Sequence, residues 1–87
     1  MITENNNESL VAMAAKMYEC RATAKQLLAD NYKKQMSERA EIIKSVAQRD
    51  NCNEIVAGAT IIKESELSGI GLLLILSAVV EIIEPSC

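Results

Sequence analysis

The chain has 87 residues, is 49% hydrophobic and carries a net charge of −3, with three cysteines, three glycines, one proline and no histidine. This length supports one modest domain, and its core must be aliphatic, because Tyr18 and Tyr32 are the only aromatic residues. The acidic balance argues against binding driven by nucleic-acid phosphates, and the lack of histidine removes the commonest acid-base catalyst and activator of a cysteine nucleophile.

The charge is unevenly spread. Residues 1–50 hold eight Lys and Arg against seven acids, whereas residues 51–87 hold Lys63 against five glutamates, so the two halves attract each other. Cys20, Cys52 and Cys87 lie 32 and 35 residues apart, which is neither a zinc spacing nor a disulfide framework. Reduced thiols in a cytoplasmic setting are expected, with a bridge between molecules through Cys87 as the alternative. No metal and no cofactor is expected. The polar, acidic opening is unlike a secretory signal peptide.

In chain order, residues 1–7 read as a short frayed leader, with Asn5 and Glu8 in a loose capping box. Residues 8–49 contain neither Gly nor Pro and predict one long first helix. Leu10, Met13, Ala14, Met17, Ala24, Leu28, Tyr32, Met36, Ile42, Ile43 and Val46 project onto one apolar stripe about 140° wide. Ala29, Asp30 and Asn31 mark the weakest point, since Asp and Asn compete for backbone hydrogen bonds.

Residues 50–53, Asp-Asn-Cys-Asn, form the clearest turn, and Asn51 with Glu54 predicts a capped second arm over about residues 53–84. Ile55, Val56, Ala59 and Ile62 form its expected buried side. At residues 65–69 the arm either continues through a weak spot or restarts with Ser68 as N-cap. Residues 70–83 are apolar almost all round, with Ser77, Glu81 and Glu84 confined to about 60° of the circumference. Pro85 ends the helix and residues 85–87 form a tail.

These elements predict an all-α single domain, an antiparallel helical hairpin assembling into an oligomeric helical bundle, with a compact three-helix bundle as the alternative. Leu72, Leu74, Ile75, Val79 and Ile82 are the expected contact between subunits, because so short a chain cannot wrap an all-round apolar helix alone. A membrane-inserting helix over residues 69–83 is a lesser alternative. The uninterrupted apolar run is twelve residues against the roughly 20 that a span needs, and no basic anchor flanks it.

The most informative polar signal is cationic charge inside the first apolar stripe. Arg21 and Arg39 project near its centre and Lys25 near its edge, and buried cations need partners. Folding back at Asn51 and Cys52 sets Arg39 opposite Glu64 or Glu66, Arg21 opposite Glu81 or Glu84, and Tyr32 opposite Gly69 and Gly71. On a functional reading, Arg21, Lys25 and Arg39, with Tyr18 or Tyr32 stacking, contact an acidic protein or a small anionic ligand between subunits. Lys33, Lys34, Arg39, Lys44 and Arg49 read as a solvated face whose charges point in different directions, interleaved with Glu38 and Glu41. Ser68-Gly69-Ile70-Gly71 is too short for a phosphate loop and lacks its lysine.

The leading expectation is therefore a non-enzymatic, self-associating helical protein that binds, sequesters, chaperones or inhibits a protein partner. The alternatives are an oligomer with small-anion sites between its subunits and a small membrane protein.

Overall fold

A computed structural model describes the backbone of residues 2–85 and the side chains of residues 15–85. All regular structure among them is helical: α1 (Ile2–Leu28), a 3₁₀ turn (Ala29–Asn31), α2 (Tyr32–Asp50), α3 (Glu54–Glu64) and α4 (Gly69–Ile83). The side chains of Leu10, Met13 and Ala14, the Asn5 and Glu8 capping box, and Cys87 lie outside the described residues.

Both predicted arms are broken. Ala29 takes a left-handed φ of 48°, and the chain turns there from α1 into α2. The reason lies in α4, which touches each of the other three helices, while α1 and α2 scarcely touch one another beyond the bend. A straight helix over residues 8–49 would be about 63 Å long, whereas α4 measures about 22 Å. Bending places both halves of the first arm on α4 and keeps the molecule within 44 × 31 × 26 Å. The helix also begins earlier than the composition suggests, since α1 already includes residues 2–7, where asparagine costs only a few tenths of a kcal/mol each.

The turn at residues 50–53 is present, but its capping differs by two residues. Asn51 adopts φ 53° and closes α2, its N–H reaching the Gln48 carbonyl at 3.4 Å while the Cys52 N–H reaches that of Ala47 at 2.9 Å. This pair of bonds is a Schellman motif, and asparagine tolerates its left-handed position. Asn53, not Asn51, caps α3, accepting from the Val56 N–H at 2.9 Å. A second Schellman pair ends α3, from Glu66 to Lys63 and from Leu67 to Ile62, with Glu66 at φ 51°. That motif breaks the second arm. Ser68 is indeed the position before α4, although its side chain caps nothing.

The buried face of α3 is Ala57 and Gly58, with Ile61 and Ile62 half-buried; Ile55, Val56 and Ala59, expected inside, are exposed. The two small residues decide the matter. A Cβ at Gly58 would stand 2.6 Å from Val79 Cγ2, so α3 approaches α4 across a gap that only glycine leaves open. On α2, Ile43 is buried and the adjacent Ile42 is half exposed.

These helices wrap α4 more fully than the length of the chain suggests. Leu74, Ile75 and Val79, expected between subunits, are buried inside the single chain, and Leu72 and Ile82 are half-buried. The bent first arm supplies the cover that a straight hairpin lacks. No described helix is long and apolar enough to cross a membrane.

Candidate functional site

The polar strip of α4 faces α1. Ser77 is fully buried and donates from Oγ to the Leu73 carbonyl at 2.7 Å, which satisfies its hydroxyl within its own helix. One turn further, Glu81 accepts from the Tyr32 hydroxyl at 2.5 Å and lies 3.8 Å from the Arg21 guanidinium. At the helix end, Glu84 accepts from the Tyr18 hydroxyl, and its backbone carbonyl accepts from Arg21 Nη1 at 2.6 Å.

Two glutamates at a helix C-terminus oppose the helix dipole, and Arg21 supplies the cation that position favours. The Arg21 guanidinium also stands 5.2 Å from the Tyr18 ring centre, and Lys25 Nζ stands 5.6 Å from that of Tyr32. Cation–π attraction of this kind sets each cation against a ring whose hydroxyl donates to a glutamate.

These bonds change the acidity of the phenols. Burial, then the hydrogen bond and negative charge of Glu81, push the Tyr32 hydroxyl well above the ordinary tyrosine range. Tyr18 shifts the same way, chiefly through its hydrogen bond to Glu84. Both stay protonated donors at neutral pH. Burial likewise raises the Cys20 thiol, which makes it a poorer nucleophile.

Four of the five predicted site residues, Tyr18, Arg21, Lys25 and Tyr32, thus converge around Glu81 and Glu84. Arg21 meets the carboxylate of Glu81, one of the two acids expected of it, and the backbone carbonyl of Glu84. Tyr32 does not meet Gly69 and Gly71: the bend at Ala29 carries its ring to Glu81, while Gly69 starts α4 at φ 57° and Gly71 packs near Leu67. Arg39 stands apart. Its Nη1 donates to the Gln35 side chain at 2.5 Å and the Gln35 carbonyl at 3.2 Å, whereas Glu64, one of its two expected partners, lies 3.9 Å from Arg49 instead.

One cleft adjoins this assembly and another lies on the opposite side of α2. The first, about 440 Å³, runs between the end of α4 and the near side of α2, lined by Lys25, Tyr32, Lys33, Met36, Ser37, Ala40, Lys44, Glu81, Ile82 and Pro85. Lys33, Ser37, Ala40 and Lys44 recur at helical spacing, so Lys33 and Lys44 share a side instead of diverging as expected. That periodicity was open to reading in the sequence; the opposing wall from α4 was not. The second, about 620 Å³, crosses α2, α3 and α4 and is lined by Gln35, Glu38, Arg39, Ile42, Ile61, Ser65, Leu67, Gly71 and Ile75. Among the described residues no group of three or more Cys, Asp or Glu could hold a metal.

The geometry defines an all-α fold whose central helix is latched by a tyrosine, arginine and glutamate cluster. No protein-family model matches the chain, and comparison with curated proteins and with solved structures gives no match.

Proposed function

We propose that the protein is a non-enzymatic helical interaction module that binds protein surfaces, a second copy of itself first among them, through the cleft across α2, α3 and α4. The carrying observation is Ile42, 51% exposed beside a groove whose floor includes buried Ile75 and half-buried Ile61 and Leu67. An aliphatic groove rimmed by Gln35, Glu38 and Arg39 has the composition of a helix-binding surface, with an apolar centre and a polar edge. Leu27, Ile55, Val56 and Ile70 add further exposed apolar area. A cytoplasmic setting is part of this reading, in keeping with three cysteines whose spacing makes no disulfide framework.

Ile42→Glu tests this reading. It places a charge at the groove while leaving the core intact, so sedimentation should show loss of self-association with little change in the thermal melt. Unaltered association would contradict it.

A second reading, binding of a small anion, is supported by Lys25, Lys33 and Lys44 around the first cleft, where Arg21 lies 3.8 Å from Glu81 and offsets its charge. This reading places the site within one chain, with Tyr32 at its wall.

A further inference from the structure

We propose that α1 exchanges between two copies of the chain: the bend at Ala29 straightens, and the α1 of each protomer packs on the α4 of its partner. Tyr18 and Arg21 of one protomer then latch Glu81 and Glu84 of the other. The hinge is a single residue. Leu28, Asn31 and Tyr32 keep right-handed helical backbone, and within the joint only Ala29 has a positive φ, at 48°. Alanine is the best helix former and, unlike glycine, is sterically opposed to that left-handed conformation. Residues 8–49 contain neither Gly nor Pro, so rotation at Ala29 joins α1 and α2 into one helix over residues 2–50, about 73 Å long.

What holds α1 in place lies almost wholly on α4. Beyond the joint α1 scarcely touches α2, and it runs instead against α4. Its Ala24 is buried in the common core, with Met17 and Leu28 half-buried against it. The latch divides in the same way: Tyr18 and Arg21 come from α1, and their acceptors Glu81 and Glu84 from the end of α4. Tyr32 belongs to α2 and keeps its bond to Glu81 of its own chain. A second copy therefore offers α1 the same surface as its own chain does, with the strain at both hinges released. A short, strained hinge is the feature that favours exchange of an element between protomers. Because α1 must first leave α4, the exchanged dimer is reached by refolding at high protein concentration, and it is separate from association of bent chains through the Ile42 cleft.

The test refolds two charge-reversed chains, Arg21→Glu and Glu81→Arg, from denaturant at high concentration, each alone and then mixed. One chain is isotopically labelled, so that native mass spectrometry counts mixed dimers. A bent monomer of either variant sets like charges against one another. In the exchanged mixed dimer both pairs are opposite again, since native Arg21 faces native Glu81 and the two reversed residues face each other. Mixed dimers should outnumber either homodimer by at least about tenfold and should melt above both single variants. Ile42→Glu added to both chains should leave the mixed dimer in place. A second arm needs no charge reversal: wild-type chains refolded in this way should dimerise, and Ala29→Gly should lower the dimerisation constant at least about tenfold, because glycine holds the bend without strain and weakens the straight helix.

Mixed dimers at or below their random share, from variants that are helical on their own, would overturn the exchange. Equal dimerisation of wild type and Ala29→Gly would do the same. A mixed dimer that Ile42→Glu dissolves would assign the association to the cleft of bent chains, overturning the exchange while sustaining the cleft reading.

Discussion

At the residue scale, Tyr32 connects the bend, the latch and the first cleft. Its hydroxyl donates to Glu81 and its ring lies beneath Lys25, so it ties the start of α2 to the end of α4. Tyr32→Phe keeps the ring and removes the donor. Loss of a hydrogen bond to a charged acceptor should cost about 1.5–3 kcal/mol, measured by denaturant unfolding at neutral pH. The sign of the pH dependence follows from the raised pKa of the folded phenol. The unfolded phenol ionises near pH 10 and the folded one does so later, so the Tyr32 contribution is complete below about pH 10 and declines as pH rises further. The stability difference between wild type and Tyr32→Phe should therefore shrink between about pH 10 and 11.5. A difference that stays constant across that window would refute the assignment.

At the element scale, backbone strain and close approach set the bundle. Ala29 holds a left-handed conformation that costs an L-residue about 1–2 kcal/mol, and glycine occupies it without strain. Ala29→Gly should raise stability by about 0.5–1 kcal/mol after its greater unfolded-state entropy is counted. Loss of stability would show that the bend is relaxed or absent. Gly58 is the converse case. Gly58→Ala improves helix propensity by about 1 kcal/mol, yet its methyl would meet a buried β-branched valine, and overpacking costs about 1–3 kcal/mol. The expected net effect on unfolding is a loss of up to about 2 kcal/mol, with Val79→Ala in the same molecule giving less than the sum of the two single losses. A stabilised Gly58→Ala would refute the close approach of α3 and α4.

The same two helices show why the sequence was legible only in part. The all-helical class, the turn at residues 50–53, the weak point at residues 29–31 and the pairing of Arg21 with Glu81 all follow from composition, periodicity and charge. The break at Ala29 does not, because nothing local demands it; the need to cover α4 from two sides does. The face of α3 was misread for a similar reason. Ile55 and Val56 carry more apolar area than Ala57 and Gly58, but the packing distance to Val79 selects the small pair. Hydrophobic pattern ranks residues by size, and a tight helix crossing ranks them by fit.

At the scale of the whole molecule, folding back on a bent arm lets an 87-residue chain bury Leu74, Ile75 and Val79 by itself. The apolar surface left for a partner is accordingly elsewhere, around Ile42 and the cleft it borders. The candidate ligand cleft lies on the other side of α2, so α2 separates a protein-docking face from a cationic one. Charge patterning in the sequence pointed to Arg21 and Lys25, and missed Lys33 and Lys44 because their role depends on α4 lying opposite.

The most direct test of the interaction reading is the absolute mass of the protein in detergent-free buffer, by light scattering on a sizing column over a tenfold concentration range. A mass that is a stable multiple of 9.5 kDa, falling to 9.5 kDa in Ile42→Glu with its helicity intact, is the result expected of self-association through the Ile42 cleft. A wild-type mass of 9.5 kDa at every concentration would contradict self-association, and an unchanged multiple in Ile42→Glu would contradict the assigned surface.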